Sequence, residues 1–457
     1  MAIEAVRRGF VKAVVLAGGF GSRLNAICDP KRNQYPLAKP ACPVGNLRTI
    51  GFNLWAIQKL GIKEAFLATH HLPESISRMV GEGETYGFKN ISYVPDSVAE
   101  ALDTAGSVSK IVLDNGWHES TESMVLVLSA DIIHNINLED LVQAHIENQK
   151  KGAVATIVVN RVPWDKVDGF GTVRLEGMPK REDFADQMKF EDAVQAWFTT
   201  NQGATAKIME FKEKAAREQC LSSLNNSSLY IFNASFFRQL FPHLTKKDRS
   251  EPLFPDLYKP GAATPFSDWG KHVFKWLTEQ TIRDNFPMFA YVLPEEYKKG
   301  IKSYWRDAGL GEELRLANMD VLNQKLYTGL DDKKYWTKTE WGWRGQNVYI
   351  DPRAMIDPRY PSIIGDNVRV EEGVKIVHSV IGSNTIIEKG AQIYGTVIFP
   401  QHFSQTGPNI IGAEAQLIDS IFTGGIVSPH ADYHGWVVYS PKGGSAIDSM
   451  FHKTEIK

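Results

Sequence analysis

Two copies of one pattern near the C-terminus constrain the fold of this chain more than any other feature. Ile364-Gly365-x-Asn367, Glu371-x-Gly373-x-x-Ile376 and Val380 recur as Ile381-Gly382-x-Asn384, Glu388-x-Gly390-x-x-Ile393 and Val397, all at one constant offset. Within each copy an aliphatic stands at every sixth position: Ile364, Val370 and Ile376, then Ile381, Ile387 and Ile393. Ile411-Gly412 opens a third, weaker copy. A six-residue period with aliphatic corners and glycine turns describes one face of a left-handed parallel β-helix, in which each coil buries its aliphatics on the next. An antiparallel β domain would need the repeated spacing to be coincidence. Stacked coils present flat faces and open ends, so a packing role and a homo-oligomer, dimer or tetramer, are expected.

The rest of the 457 residues alternates strand-like and helix-like stretches. Strands are expected at Val11–Leu16, Glu64–Thr69, Met124–Leu128 and Ala153–Val159, and helices at Thr49–Leu60, Val98–Val112 and Leu138–Lys150. Met124–Leu128 is wholly apolar, as befits a strand covered on both faces. This rhythm predicts an α/β domain built on a mostly parallel sheet, with ligands beyond the carboxyl ends of the strands. Both a glycine-rich segment after the first strand and Asp131 should reach that edge. Length alone favours two domains. The expected division is 1–330 for the α/β domain, 331–347 for a linker and 348–457 for the β-helix. The charge run Asp331-Asp332-Lys333-Lys334 reads as a solvated turn, and Asp351-Pro352 and Asp357-Pro358 break any helix. Residues 176–207 are polar without clean periodicity and read as a long insertion or lid.

Hydrophobic residues make up 43% and charged residues 23%, with a net charge of -2. No global basic field attracts nucleic acid or anionic lipid, and no apolar run is long enough to span a bilayer. Neither a nucleic-acid nor a membrane partner is expected. The three cysteines, Cys28, Cys42 and Cys220, form no CxxC pair, which fits a reducing cytoplasm. Arg7-Arg8-Gly9-Phe10-Val11-Lys12 resembles a twin-arginine export signal, but cleavage after it would cripple the glycine segment. The first buried strand is the preferred reading.

Val14-Val15-Leu16-Ala17-Gly18-Gly19-Phe20-Gly21-Ser22-Arg23-Leu24 carries the strongest chemical signal. Glycines let a backbone turn tightly and approach a ligand, so that successive N–H groups converge on phosphate oxygens. Arg23 adds a planar charged fork suited to phosphate. Lys39, held between Pro36 and Pro40, offers an ammonium for the β- and γ-phosphates. Asp131 ends a buried strand, and Asp307 lies in Tyr304-Trp305-Arg306-Asp307-Ala308-Gly309. Carboxylates from these distant segments suit one Mg2+. Glu213-Lys214 offers a cation for a second anionic substrate. Each also has a bland reading: a tight turn, a solvated lysine, a helix-capping aspartate, an exposed strand end.

Together these positions resemble the sugar-1-phosphate nucleotidyltransferase family over most of residues 11–322. Leu16-Ala17-Gly18-Gly19-x-Gly21-Ser22-Arg23-Leu24 is similar to its nucleotide loop. Four further segments resemble the ADP-glucose pyrophosphorylase branch: Ala38-Lys39-Pro40-Ala41-x-Pro43-Val44-Gly45, Arg48-x-Ile50-x-Phe52, Asp268-Trp269-Gly270-Lys271 and Tyr304–Gly309. Phe211-Lys212-Glu213-Lys214 resembles the motif whose lysine binds the sugar phosphate. Asn226-Ser227-Ser228-Leu229-Tyr230-Ile231-Phe232 resembles a segment near the sugar pocket, where glycine is usual at the position of Ser228. Thr69-His70-His71-Leu72-Pro73-Glu74 looks more like mannose-1-phosphate guanylyltransferases. So does Leu102-Asp103-Thr104-Ala105-Gly106, in which Asp103 replaces a glycine. The stretch from Arg23 to Lys39 is longer than usual for the adenylyl branch.

The resemblance implies a Rossmann-like, GT-A-type domain over 1–330 that joins a nucleoside triphosphate to a hexose 1-phosphate and releases pyrophosphate. ATP with glucose 1-phosphate is preferred, and GTP with mannose 1-phosphate is the alternative. It assigns Arg23, Lys39, Asp131 and Asp307 to catalysis, with Mg2+ on Asp131 and Asp307. Nucleotide contacts fall to Leu16, Ala17, Gly18, Gly19, Gly21, Ser22, His70, Thr104, Ala105 and Gly106. Sugar-phosphate contacts fall to Gly171, Glu213, Lys214, Asn226 and Ser228. The nucleophile is already anionic, so no general base is required. Two readings from other classes compete. One is a silent regulatory subunit. The other is an acyltransferase drawing its base from His378, His402, His430 or His434.

Overall fold

A computed structural model of the chain describes residues 1–96, 102–245, 267–297, 300–330, 332–440 and 450–453. The described chain packs as two compact units. One holds Met1–Gly18, Asn53–His70 and Val80–Trp305, and the other Gly19–Phe52, His71–Met79 and Arg306–Lys457. Division by packing thus interleaves segments that are distant in sequence.

In the first unit the apolar runs of the N-terminal third become the middle of a nine-stranded sheet. Its order is Asn90–Pro95, Glu64–Thr69, Val11–Ala17, Met124–Ser129, Leu224–Asn233, Ala155–Arg161, Met288–Val292, Thr205–Glu213, Gly171–Leu175. The first four strands are parallel, as alternating strands and helices predict. Beyond Met124–Ser129 the sheet is mixed: Leu224–Asn233 runs antiparallel to both neighbours, and only Ala155–Arg161 with Met288–Val292 pairs in parallel. "Mostly parallel" therefore describes one half of the sheet. In the other half strands far apart in sequence pair antiparallel, and even the sequential neighbours Gly171–Leu175 and Thr205–Glu213 are joined through a helix, so the helix rhythm alone cannot signal strand direction. Val11–Ala17 lies between two strands with Val14 and Val15 fully buried, so the segment after Arg7-Arg8 is a structural strand.

The expected helices form at Thr49–Leu60, Asp103–Asp114 and Leu138–Gln149. Residues 98–101 of the expected Val98–Val112 helix and Asp331 of the charge run lie outside the described residues. So do 441–449 and 454–457 of the expected β-helix. Segment 176–207, expected as an insertion or lid without clean periodicity, contains a regular helix. Helix Gln187–Asn201 forms its middle, capped by Asp186, whose carboxylate accepts the Met188 N–H at 2.9 Å. Phe190, Val194 and Phe198 recur at every fourth position and join the core. The polar residues between them hid that stripe. No described helix is long and apolar enough to cross a membrane.

In the second unit the repeats build three parallel sheets that the chain visits in turn. Each corner becomes a buried column. Ile364, Ile381, Ile398, Phe422 and Val438 stack in one, and Val370, Ile387, Ile411 and Val427 in the next. Ile376, Ile393 and Leu417 form the third. This connectivity is consistent with the expected parallel β-helix. Ile411, read as opening a third copy, instead sits on Ile387, the second corner. The loop 399–408 after Ile398 lengthens that coil, and it puts the sequence repeat out of phase with the structural one.

The shared asparagine of the repeat has a backbone reason. Asn347, Asn367 and Asn384 all adopt left-handed backbone, at φ 52, 55 and 58°. Asn347 Nδ2 donates to Asn367 Oδ1 at 3.2 Å, and Asn367 Nδ2 donates to Asn384 Oδ1 at 3.1 Å. Left-handed backbone costs most side chains about 1–2 kcal/mol, and asparagine tolerates it best among residues with a Cβ. Asn367→Ala should therefore cost about 1–2 kcal/mol of stability in thermal or denaturant unfolding, whereas Asn367→Gly should cost clearly less.

Candidate active site

At the carboxyl edge of the first unit's sheet, Leu16 pairs with Ser129, and the Leu16 carbonyl accepts the Ala130 N–H at 2.9 Å. The start of the glycine segment and Asp131 thus lie side by side, as the sequence predicts. Ser129 Oγ donates to Asp131 Oδ1 at 2.7 Å, which fixes that half-buried carboxylate. Gly18 is required for close approach: a Cβ there would lie 3.1 Å from His70 Cβ and 3.3 Å from its backbone nitrogen. The His70 ring shares a hydrogen bond with the Asp96 carbonyl at 3.3 Å and remains half-buried.

The remainder of the glycine segment belongs to the second unit. Gly19 has open space around it. Gly21 is left-handed at φ 67°, and a Cβ there would lie 2.7 Å from Cys28 Sγ and 3.3 Å from Lys39 Cγ. The Lys39 stem thus runs beside the glycine loop. Ser22–Leu24 form one 3-10 turn that places Arg23. The Arg23 guanidinium donates to Asp307 Oδ2 at 3.3 Å, and the Gly309 N–H donates to Asp307 Oδ1 at 2.8 Å. A Cβ on Gly309 would lie 2.6 Å from Arg23 Nη2 and 2.7 Å from Asp307 Oδ1. The glycine that ends Tyr304–Gly309 is therefore the seat on which the pair rests. Arg306 turns to Glu313 and Asp320.

The sugar-side residues gather in the first unit. Gly171 and Gly270 flank the Glu213 carboxylate so closely that a Cβ on either would lie 2.5 Å from Oε2. Two glycines from separate elements thus form a slot for one carboxylate. Burial raises the Glu213 pKa and nearby Asp268 adds to it, while Lys214 and Lys271 oppose the shift. Lys214, at φ 43°, holds Nζ 3.9 Å from Glu213 Oε1. Asn226 Oδ1 accepts the Ser228 N–H at 3.1 Å, and its amide donates to Tyr230 Oη at 3.1 Å. The Trp305 indole donates to the Ser227 carbonyl at 3.0 Å and stands edge-on to Phe170. Sequence reasoning gave no role to Gly270, Trp305 or Tyr230. All three lie inside quoted motifs, so the motif was visible but not the job.

Thr104, Ala105 and Gly106 start helix Asp103–Asp114. Thr104 Oγ1 accepts the Trp269 N–H at 3.1 Å, and the Ala105 N–H donates to the Ser267 carbonyl at 2.9 Å. Asp103 is left-handed at φ 55°, and Ser228 at φ 59°. These are the two positions where the resembling sequences carry glycine, so the departures place strained side chains at both. Burial pushes the Asp103 pKa up to about 6, Asp268 and Asp96 push the same way, and the Thr104 N–H and Lys271 oppose them.

The histidines offered for an acyl-transfer base have separate partners. His378 meets Asn323, His402 the Pro36 carbonyl, His430 Glu414 and His434 Asp432.

With this geometry in place, comparison with known proteins adds the class. The nucleotidyl transferase family matches residues 12–324, and the chain belongs to that family. A UTP-glucose-1-phosphate uridylyltransferase of Synechocystis sp. is 27% identical over 373 residues, covering 80% of this chain and 77% of that protein. A glucose-1-phosphate adenylyltransferase of Desulforamulus reducens is 27% identical over 360 residues, 76% of this chain and 72% of its own. One from Bacillus cereus is 26% identical over 378 residues, 79% and 80% respectively.

Two outcomes are expected. Gly309→Ala should leave the fold intact but lower turnover by at least ~10-fold, because its Cβ displaces Arg23 or Asp307. For Asp103, the folded pKa of about 6 lies above the ordinary 3.8, so its charge destabilises the fold once ionised, fully above the folded value. Asp103→Asn should raise the melting temperature at about pH 8, with the gain shrinking as pH falls through about 6. A gain that does not change with pH would contradict the buried charge.

Proposed function

We propose that this chain transfers a nucleotidyl group from a nucleoside triphosphate to a hexose 1-phosphate and releases pyrophosphate. The observation that carries the reading is the seat formed by Arg23, Asp307 and Gly309 beside the Gly21–Lys39 turn, within a chain whose residues 12–324 match the family. A sugar-phosphate oxygen attacks the α-phosphorus, and the bond to the leaving pyrophosphate breaks. Arg23 and the loop N–H groups hold the pyrophosphate, and Lys39 meets charge developing on the α-phosphate. Lys214 anchors the sugar phosphate, while the Glu213 carboxylate in its glycine slot accepts hydroxyl donors of the sugar. Thr104 to Gly106 and His70 flank the nucleoside.

Mg2+ is carried over from the resemblance, which assigns it to the carboxylates of Asp131 and Asp307, the hard oxygen donors such a cation takes. Bound Mg2+ would supply charge neutralisation and orientation of the phosphates. The preferred pair is ATP with glucose 1-phosphate, supported by the lysine-proline and Tyr304–Gly309 segments and by relatives named adenylyltransferases. UTP is the second candidate, because another relative of equal identity is named a uridylyltransferase. The segments around His70 and Asp103 favour GTP with mannose 1-phosphate as a third. We further take the working catalytic domain as 1–330, with 331–347 a linker, and the tail as a left-handed β-helix. A cytoplasmic homo-oligomer is proposed with it.

Pyrophosphate release across a grid of ATP, UTP and GTP against glucose 1-phosphate and mannose 1-phosphate tests the reading. One cell of the grid should exceed the others by ~100-fold or more, since a mismatched base leaves buried polar groups unpaired. Silence in every cell would favour a regulatory subunit. Asp131→Asn should abolish release while circular dichroism and melting stay unchanged, and retained turnover would refute the metal role.

A further inference from the structure

The stretch between Arg23 and Lys39 is long, and the structure shows where its extra length goes. After helix Asn25–Cys28 the chain turns at Asp29, whose carbonyl accepts the Arg32 and Asn33 N–H groups at 3.1 and 2.9 Å. Asn33 is then 1% exposed. Its amide nitrogen lies 3.1 Å from the Ala26 carbonyl, 3.3 Å from the Ile27 carbonyl and 3.3 Å from Thr423 Oγ1. Its Oδ1 accepts the Tyr35 N–H at 2.9 Å. Ala26 and Ile27 belong to the short helix that follows Arg23, and such helix-end carbonyls have no partner inside the helix. Thr423, 1% exposed, follows coil strand Ile421–Phe422.

One side chain therefore ties together the helix behind Arg23, the loop leading to Lys39, and the C-terminal coil. Nearby contacts repeat the connection. The Gln34 N–H donates to the Ser440 carbonyl at 2.8 Å, and the His402 ring meets the Pro36 carbonyl at 3.2 Å. Asparagine suits the place because it both donates and accepts. Aspartate would present only acceptors to two carbonyls, and an aliphatic residue would strand several buried polar groups at about 1–3 kcal/mol each.

We infer that Asn33 is a positioning residue for the triphosphate, fixing Arg23 and Lys39 through its hydrogen bonds to the Ala26 and Ile27 carbonyls and to Thr423 of the coil. The coil thereby becomes part of the nucleotide site without touching substrate. This rests on the assignment of the glycine loop to the triphosphate.

Steady-state kinetics of Thr423→Val and Asn33→Ala test the inference. Thr423→Val removes one hydroxyl far from any substrate and keeps the side-chain volume. Both variants should raise KM for the triphosphate, by ~10-fold in Asn33→Ala and less in Thr423→Val, with KM for the sugar 1-phosphate unchanged. Thr423→Ser should restore the wild-type value. Wild-type kinetics in Thr423→Val, or equal shifts in both KM values, would overturn the inference, and this arm stands even if Asn33→Ala does not fold. Arg23→Gln, run alongside, separates the two failures. An unmoved triphosphate KM there overturns the loop assignment itself. A raised KM there with none in Thr423→Val overturns only the role of Asn33.

Discussion

The contact between Arg23 and Asp307 is the hinge of this structure. It joins residues 284 apart in sequence at 3.3 Å, over a glycine that leaves no room for a methyl group. The arginine side chain is 45% exposed and the aspartate 17%, so the pair contributes at most about 1 kcal/mol to stability. Its importance is geometric. A guanidinium on a one-turn helix and a carboxylate at the end of strand Trp305–Asp307 are held against each other, and in the proposed function they face the substrate polyanion. Preorganised charge of this kind requires no rearrangement during reaction, which is why it is effective in catalysis.

The same economy of space recurs around the site. Gly18 admits His70, Gly21 admits Cys28 and Lys39, and Gly171 with Gly270 admits Glu213. In each case the missing Cβ is occupied by a neighbour rather than by solvent. Asp103, Lys214 and Ser228 present the opposite situation, holding side chains on left-handed backbone. Strain of this sort persists where the surroundings over-determine it, and these three positions lie in segments flanking the proposed nucleoside and sugar.

Much of the fold was legible because its signals are local. The six-residue period marked the columns of stacked parallel strands, and strands Val11–Ala17, Glu64–Thr69 and Met124–Ser129 fell where apolar runs put them. The antiparallel half of the sheet was not legible, because strand direction depends on pairing partners that no local pattern names. The helix under Phe190, Val194 and Phe198 was missed because its stripe is narrow and its flanks are polar. The phase slip at Ile411 was hidden because an insertion preserves the motif but not its corner. At the site, residue identities were readable and their duties were not. Gly309 stood only as the end of a motif, and Asn33 had no role, until three-dimensional neighbours gave each a reason.

The coil is also more than an appendage in this account, since it shares buried polar contacts with the segment between Arg23 and Lys39. All of this depends on Arg23 and Asp307 acting as one unit in the loaded enzyme. A double-mutant cycle on kcat/KM for pyrophosphate release, using Arg23→Gln, Asp307→Asn and the double variant, measures that dependence. The account predicts strong non-additivity, a coupling of at least ~1 kcal/mol. Losses that simply add would contradict it.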